Sequence, residues 1–327
     1  KVSFLSMYGE AAFEVKDFPR ALIIYKDLAL MTPKDATIFK RLYEICTQTG
    51  ASEDALNYLK KYAALNPADA DAQKNLGDAL YGKNDFPGAL AAYKNALRYN
   101  PNIKGFHKKY VELVMKLGKP QEKMPALQGT INAGEADASI YSQLGQIYSS
   151  TQNYSKAIEM YEKASQLDPK NPGILSPLAE CQMKQGDLKG AALTYEQALA
   201  MNPNAVDEYK QLGDLYMKQK KSDAAMTAYK KYLNKAPTDY SVAKLVGRSY
   251  YNDKNYAEAY KYFSMVKDDN SPQFLIEFGL SALNSKNIRD AITTLEKVRS
   301  IKGSFASKDL AYKSLAEAYE ASGEKIK

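Results

Sequence analysis

The chain has 327 residues, of which 45% are apolar and 25% are charged, and this composition excludes a disordered protein. With 18 Gly and 13 Pro it is not collagen-like, and its two Cys exclude both a disulfide framework and a Cys-rich zinc module. The formal net charge of +7 does not demand a nucleic-acid partner, and a single His, His107, leaves little scope for general-base or metal chemistry.

The start of the chain carries no targeting signal. It opens at Lys1 without an initiator Met and without a charged segment followed by an apolar one. The sequence therefore leaves the compartment open between the cytoplasm and a bacterial periplasm or envelope. Because no run approaches the ~20 uninterrupted apolar residues that cross a bilayer, we expect no membrane span.

Three series of residues recur along the chain at a spacing of 34 or its double. Prolines occupy Pro33, Pro67, Pro101, Pro169, Pro203 and Pro237, and Glu135 stands at the one position that lacks its Pro. Alanines occupy Ala21, Ala55, Ala89, Ala157, Ala191, Ala225 and Ala259. A large residue precedes a small one at Tyr8-Gly9, Leu76-Gly77, Leu144-Gly145, Leu178-Ala179, Leu212-Gly213 and Val246-Gly247. Since three series stay in phase, the chain is predicted to consist of tandem repeats.

The repeat resembles the tetratricopeptide repeat, whose pattern is a bulky residue, Leu-Gly, Tyr, then Ala, an aromatic residue and a closing Pro. One repeat contains this pattern as Tyr141, Leu144-Gly145, Tyr148, Ala157, Tyr161 and Pro169, and another as Tyr209, Leu212-Gly213, Tyr216, Ala225, Tyr229 and Pro237. The resemblance covers essentially the whole chain. It implies an all-α fold, namely a right-handed superhelical solenoid of antiparallel helix pairs.

The spacing predicts about nine repeats, which start near Val2, Ala36, Ala70, Lys104, Ala138, Pro172, Val206, Tyr240 and Pro272. Residues 1–327 would then form a single solenoid. Residues 306–327 are predicted to form an extra C-terminal helix, which is either a cap or the start of a truncated tenth repeat.

Within each repeat the apolar residues step by three and four, which predicts two helices, here called helix A and helix B. A short polar turn separates them, and Gly50 and Gly186 suit a left-handed cap there. We expect the small residue after Leu to let the two helices approach and to meet the Ala of helix B. Because one helix pair cannot bury its own apolar face, neighbouring repeats are expected to stack.

Two places interrupt the repeat. In the fourth repeat Lys123 replaces the packing Ala, and Pro125 lies several residues inside the predicted helix B. This pattern leaves two alternatives, a bent or shortened helix and a hinge between repeats one to three and repeats five to nine. Near the end of the chain, Ala259 and Ala291 are only 32 residues apart, so the eighth-to-ninth linker is predicted to be two residues short.

The residues that usually carry catalysis form no recognisable arrangement. The segment from Gly77 to Asn84 resembles a phosphate-binding loop but lacks its Ser or Thr and falls inside a predicted helix A. His107 takes the bulky first position of the fourth repeat and is expected to be packed, and Cys46 and Cys181 are expected to be inert buried thiols. The sequence therefore predicts no enzyme, no cofactor and no metal site.

The resemblance implies that helices A line a concave groove in which the family binds extended or helical peptides. Helical phase then predicts these groove residues: Lys40, Arg41, Glu44, Lys74, Asn75, Asp78, Tyr81, Lys108, Lys109, Glu112, Lys210, Asp214, Lys244, Arg248 and Tyr251. The carboxylate clamp of chaperone-binding members is matched by Lys40, Asn75 and Lys109, but Glu44 replaces its first Asn. Because an acid beside a peptide carboxylate repels it, a clamp for C-terminal tails is the weaker interpretation.

Three functions follow from this sequence. The first is a non-catalytic protein–protein interaction scaffold that binds peptide segments of partner proteins in the groove. The second is a structural or assembly component of a bacterial envelope or surface complex that uses convex or end surfaces, with self-association left open. The third, binding of RNA or an acidic surface, would use five lysines with two nearby tyrosines, Tyr229 and Tyr232. Those lysines are Lys218, Lys220, Lys221, Lys230 and Lys231. Nearby acidic residues reduce the net positive charge of that patch, which argues against nucleic-acid binding.

Overall fold

The computed structural model describes residues 2–323, which are 77% helical and contain no β-strand. The all-α fold of antiparallel helix pairs is confirmed. The described helices fall into two compact units, of which the first ends at Pro169 and the second begins at Lys170.

In both units an odd-numbered helix packs against the even-numbered helix that follows it. The first unit contains α1 (Val2–Glu14), α2 (Phe18–Met31), α3 (Ala36–Gln48), α4 (Ser52–Leu65), α5 (Ala70–Gly82), α6 (Phe86–Tyr99), α7 (His107–Leu117), α8 (Pro120–Asn132), α9 (Ala138–Ser150) and α10 (Tyr154–Leu167). The second contains α11 (Pro172–Gln185), α12 (Leu188–Met201), α13 (Val206–Lys218), α14 (Ser222–Lys235), α15 (Tyr240–Asn252), α16 (Tyr256–Phe263), α17 (Pro272–Asn284), α18 (Ile288–Ser300) and α19 (Lys308–Ser322). Helix A of each repeat is the odd-numbered helix. Helix α19 lies in the predicted C-terminal segment, whose residues 324–327 are outside the described part.

Capping side chains explain where many helices start. The Asp85 carboxylate accepts a hydrogen bond from the backbone N–H of Gly88 at 3.0 Å, and Asn153 caps α10 in the same way through Lys156. A side-chain oxygen at this position satisfies a backbone N–H that has no partner inside the helix. The short polar turns of the sequence therefore both end helix A and begin helix B.

The turn between helices A and B contains a left-handed residue in all nine described helix pairs but one. These residues are Lys16, Gly50, Asn84, Gln152, Gly186, Lys220, Lys254 and Lys286. The predicted caps at Gly50 and Gly186 have φ of 75° and 97°. The exception is the fourth repeat, where Gly118 has φ of −75°.

An aromatic ring of helix B packs against the small residue after Leu. A Cβ atom at Gly77 would lie 2.5 Å from the ring of Tyr93, and one at Gly213 would lie 2.5 Å from the ring of Tyr229. The sequence predicts only the Ala of helix B as the partner of this residue. An aromatic ring fills the space because it lies one helical turn beyond that Ala on the same face of helix B.

The fourth repeat keeps a full helix B. Helix α8 runs through Pro125 over 13 residues, so it is not shortened, whereas α7 begins only at His107, three residues after the predicted start at Lys104. Glu135, at the position of the missing Pro, accepts a hydrogen bond from the Gly105 N–H at 2.6 Å and lies 3.1 Å from Nδ1 of His107. This carboxylate therefore ties the start of α7 to the end of the repeat.

The two missing residues of the eighth repeat come with a short helix B that the sequence did not reveal. Helix α16 has eight residues, where the other described B helices have 13 or 14. An irregular segment follows it and includes Asp268 with φ of 61°. The run of turn-forming residues before Pro272 explains the early end, since Asp, Asn and Ser favour turns over helix.

Candidate binding face on helix A

The predicted groove residues all lie on helices A, in α3, α5 and α7 of the first unit and in α13 and α15 of the second. All of them are exposed or half-buried. Within each unit we call the surface that they share the helix-A face, and the surface formed by helices B the helix-B face. The helix-A face is therefore a polar surface outside the buried core.

Half of the eight predicted charged residues of this face in the first unit are paired with one another. Lys109 Nζ lies 2.6 Å from Asp78, and Arg41 pairs with Glu44 at 2.7 Å. The Tyr81 hydroxyl donates to Glu112 at 2.7 Å. The face therefore carries neutralised charges as well as free ones.

These pairs bear directly on the carboxylate clamp. Of its three matching positions, Lys109 is held by Asp78, whereas Lys40 forms no ion pair within residues 2–323. The Lys40 ammonium lies 6.0 Å from the ring centroid of Tyr62. Lys74 likewise has no ion pair in the described part of the chain. Of the two lysines that match the clamp, only Lys40 is therefore without an ion pair in the described residues, and Lys74 is a second such cation outside the clamp positions.

In the second unit the groove lysines are tied to the acid at or just before the start of the next helix A. Lys210 Nζ lies 2.6 Å from Asp239, and Lys244 Nζ lies 2.6 Å from Asp269. Burial raises the pKa of the Asp269 carboxyl, but hydrogen bonds from Lys244 and Ser271 outweigh it and bring the pKa to about 2. The pKa of Asp239 is also held well below its ordinary range, because bonds from Lys210 and its neighbours outweigh its burial.

Arg248 completes this series of pairs in the second unit. Its Nε lies 2.8 Å from the buried carboxylate of Glu277 on α17. In each pair the cation lies on one helix A, and the acid lies on or just before the next helix A, 25 to 29 residues further along the sequence. The ion pairs therefore stabilise the stacking of repeats.

Three clefts open on the helix-A faces. One of about 320 Å³ lies between repeats one and two and is lined by Glu10, Tyr25 and Arg41 among others. An equivalent cleft of about 530 Å³, 170 residues or five repeats further along, lies between repeats six and seven and is lined by Glu180 and Tyr195. The third, of about 420 Å³, lies between repeats seven and eight.

Several residues of these clefts were absent from the predicted set. They are Glu10, Tyr25, Ser176, Glu180, Tyr195, Asp207 and Glu208. The sequence does contain a signal for them, since an acid on helix A is followed 15 residues later by Tyr on helix B in several repeats. Aligning the repeats would have placed each such pair side by side.

The helix-B faces also carry clefts that were not predicted. One of about 740 Å³ is lined by Leu30, Phe39, Tyr58 and Leu65, and its equivalent in the second unit has about 410 Å³. The Leu30 side chain is 82% exposed. These outer clefts are mainly apolar.

The basic patch proposed for RNA does not have the tyrosines it needs. The rings of Tyr229 and Tyr232 are buried in the core, and so they cannot stack on bases. Lys230 donates to the Tyr250 hydroxyl at 3.1 Å, and Lys231 covers the ring of Tyr209. The predicted interleaving of exposed basic and aromatic side chains was therefore wrong.

The usual catalytic groups lie away from these clefts. His107 and Cys46 are buried, and burial raises the pKa of the Cys46 thiol. Within residues 2–323 no group of three or more His, Cys, Asp or Glu side chains could hold a metal ion. The longest described helix has 15 residues, and none of the described helices carries an apolar stretch able to span a membrane.

The fold and the helix-A faces define a class of helical-repeat protein, and the comparisons identify the family. One profile described as tetratricopeptide repeat matches residues 150–212 and 183–249, and a second matches residues 48–102 and 75–129. Together they span more than half of the 327 residues, and the chain belongs to the tetratricopeptide-repeat family. A profile described as anaphase-promoting complex, cyclosome, subunit 3 also matches residues 218–298.

Curated relatives resemble part of the chain. Hsp70-Hsp90 organizing protein 3 of Arabidopsis thaliana is 25% identical over 178 residues, which cover 53% of this chain and 30% of the relative. The Hsp70-Hsp90 organizing protein of Triticum aestivum is 23% identical over 155 residues, which cover 47% and 27%. The chain thus spans less than a third of the length of these relatives.

A solved structure, that of YrrB, described as a TPR protein with an unusual peptide-binding site, also resembles the chain. It is 18% identical and covers 56% of this chain and 94% of its own, with a TM-score of 0.47.

Proposed function

We propose that this chain is a non-catalytic scaffold that binds extended segments of partner proteins on its helix-A faces. The observation that carries the proposal is the cleft of about 420 Å³ between repeats seven and eight. There the apolar side chains of Met217 and Leu245 are 40% and 37% exposed beside Lys244 and Arg248. Exposed apolar side chains in a cleft rimmed by charges are typical of a protein-binding surface.

The charges around this cleft shape what it can bind. Lys244 and Arg248 are already neutralised by Asp269 and Glu277, so that the cleft offers no strong free charge. Binding would therefore rest on the burial of apolar side chains of a partner segment, and the flexible Met217 can adapt to their shape. The similarity to organizing proteins named for Hsp70 and Hsp90 supports a protein-binding role.

The proposal is tested with peptides selected from a random display library on the immobilised chain. Replacing both Met217 and Leu245 by Ser should weaken the selected peptides at least ~10-fold, because the apolar area that these side chains bury in the complex is lost. The matched control replaces Leu193 and Met201, which are exposed on the helix-B face of the same unit, by Ser. Circular dichroism should show unchanged helicity for both variants.

The second candidate function, assembly through the outer surface, is favoured by the apolar cleft of about 740 Å³ on the helix-B face of the first unit. Leu30, which lines this cleft, is 82% exposed, and Ile23 on the same helix α2 is 65% exposed. If replacing Leu193 and Met201 abolishes peptide binding and replacing Met217 and Leu245 does not, the scaffold binds its partners through the helix-B face. Sedimentation of an Ile23→Ser, Leu30→Ser variant would then show whether the same face mediates assembly.

A further inference from the structure

An acid, a tyrosine and a cation meet at the same place in two repeats of the first unit. In the first repeat the Tyr25 hydroxyl donates to Glu10 at 2.7 Å, and the guanidinium of Arg41 from the next repeat pairs with the same carboxylate. Burial and the bond to Glu10 raise the pKa of Tyr25 above its ordinary value. Arg41 therefore supplies, from within the chain, the cation for the acid of the cleft between repeats one and two.

The third repeat shows the same arrangement. The Tyr93 hydroxyl donates to Asp78 at 2.9 Å, and Lys109 from the fourth repeat lies 2.6 Å from the same carboxylate. In both cases the tyrosine follows the acid by 15 residues and the cation follows it by 31. The position therefore has a recurrent chemistry, a carboxylate that is shared by a hydroxyl and a cation.

The sixth repeat has the acid and the tyrosine but not the cation. Glu180 and Tyr195 occupy the equivalent positions, and Gln211 stands where Arg41 and Lys109 stand in the other two. The Tyr195 side chain is 1% exposed, and its hydroxyl is buried at the cleft without a hydrogen-bond partner. A buried hydroxyl without a partner is costly, so it marks a position that can accept a ligand.

The residue before the acid explains why Tyr195 does not bond to Glu180. Gly77 precedes Asp78, and the ring of Tyr93 occupies the space where a Cβ would be. In the sixth repeat Ala179 precedes Glu180, and its methyl group, which is fully buried, occupies that space. The ring of Tyr195 therefore cannot take the position that lets Tyr93 reach its acid.

The cleft between repeats six and seven is acidic as well as incomplete. Glu180, Asp207 and Glu208 line it, and the one lysine that lines it, Lys210, is held by Asp239 at 2.6 Å. Asp207 and Glu208 lie in the first turn of α13, where the helix dipole stabilises them without a ligand. Glu180 is exposed and forms no ion pair within residues 2–323, so its carboxylate is available to a cation that enters the cleft.

We propose that this cleft binds the guanidinium of an arginine from a partner segment, which takes the place that Arg41 takes in the cleft between repeats one and two. The guanidinium would donate to the Glu180 carboxylate and to the Tyr195 hydroxyl oxygen. A planar fork of five N–H donors suits two acceptors of this kind better than an ammonium does. The inference rests on the proposed scaffold function and names one side chain of its partner.

The test uses the full chain and a capped Gly-Arg-Gly tripeptide, with the neutral citrulline tripeptide and the Lys tripeptide as comparison probes. Nuclear magnetic resonance should show shifts at the Gln211 amide and the Tyr195 ring with the arginine probe, and much weaker binding of the other two. Glu180→Gln should weaken the arginine probe at least ~10-fold, because a charge-assisted hydrogen bond is lost. Glu162→Gln, an exposed acid on α10, should leave binding unchanged.

Two further variants exchange the residues at the position of the cation in the two clefts. Gln211→Arg should place a guanidinium in the cleft, abolish binding of the arginine probe there and raise the melting temperature. Arg41→Gln should open a second site, which adds shifts at the Tyr25 ring. Retained binding by Gln211→Arg, or equal binding of the citrulline or Lys probe, would overturn the assignment.

The outcome is separable from that of the scaffold proposal. If the arginine probe fails while display-selected peptides still depend on Met217 and Leu245, the guanidinium site is wrong and the scaffold stands. If the probe binds at Glu180 while no selected peptide depends on the helix-A face, the site stands and the scaffold proposal fails.

Discussion

The cleft between repeats one and two and the cleft between repeats six and seven occupy equivalent positions but differ in how their acid is satisfied. In the first, Glu10 accepts from Tyr25 and pairs with Arg41. In the second, neither bond exists for Glu180, because Ala179 displaces the tyrosine and Gln211 replaces the cation. The residues before the acid and at the position of the cation thus distinguish a cleft whose acid is paired within the chain from one whose acid is not.

The largest change in stability is expected when the glycine that packs against the tyrosine ring is replaced. Gly213→Ala should push the ring of Tyr229 off α13 and weaken its bond to Asp214, which is 2.6 Å long. Overpacking of this kind costs about 1–3 kcal/mol of unfolding free energy, measured by urea denaturation.

The control for this change is Gly129→Ala on α8, where a Cβ would meet nothing within 4 Å. Since Ala favours a helix over Gly by about 0.5–1 kcal/mol, this variant should be stabilised. Equal effects of the two changes would show that the close packing behind Tyr229 does not position its ring. The reciprocal variant Ala179→Gly should let Tyr195 bond to Glu180.

A smaller change in unfolding free energy is expected when the hydroxyl groups of Tyr25 and Tyr195 are removed. Tyr25→Phe should cost about 0.5–1.5 kcal/mol, because Glu10 loses a hydrogen bond. Tyr195→Phe should be neutral or stabilising, because the lost hydroxyl is buried and has no partner. Thermal unfolding of both variants measures the difference, and a loss at Tyr195 as large as that at Tyr25 would contradict the open state of the second cleft.

The smallest change in stability is expected for Lys210, a cation that lines the cleft between repeats six and seven. The pKa of its partner Asp239 is depressed, so this pair stabilises the fold above pH ~3.9, the ordinary pKa of Asp, and is lost as the pH falls toward the depressed value. Because the Lys210 side chain is 37% exposed, the contribution is only about 0–1 kcal/mol.

Lys210→Met should therefore flatten the fall in stability between pH 4 and pH 2, measured by urea denaturation across that range. Lys40→Met is the matched change in the first cleft and should have less effect, since Lys40 forms no ion pair within residues 2–323. A larger effect of Lys40→Met would show that the two lysines were assigned the wrong roles.

Much of the fold could be predicted because it depends on residues close together in sequence. The helix starts at Ala36, Ala138 and Pro172 coincide with the predicted repeat starts, since caps and steps of three and four act within one or two turns. The predicted helix bounds were inaccurate in the fourth repeat, where the local sequence pattern did not set them. Helix α7 starts late at His107, where Glu135 accepts hydrogen bonds from the backbone N–H groups of Gly105 and His107. Helix α8 runs through Pro125, which the sequence had marked as an interruption.

Helical phase by itself determined which side chains of α3, α5, α7, α13 and α15 lie on the helix-A face, because the direction of a side chain on a helix follows from its position. Which of those charges remain unpaired depends on contacts between repeats, and these are visible only in the folded chain. Lys109 and Lys210 were both predicted groove residues, and each is neutralised by an acid about 30 residues away, Asp78 on α5 and Asp239 at the start of α15. Such distances depend on how repeats stack and on a single methyl group such as that of Ala179, and no local pattern encodes them.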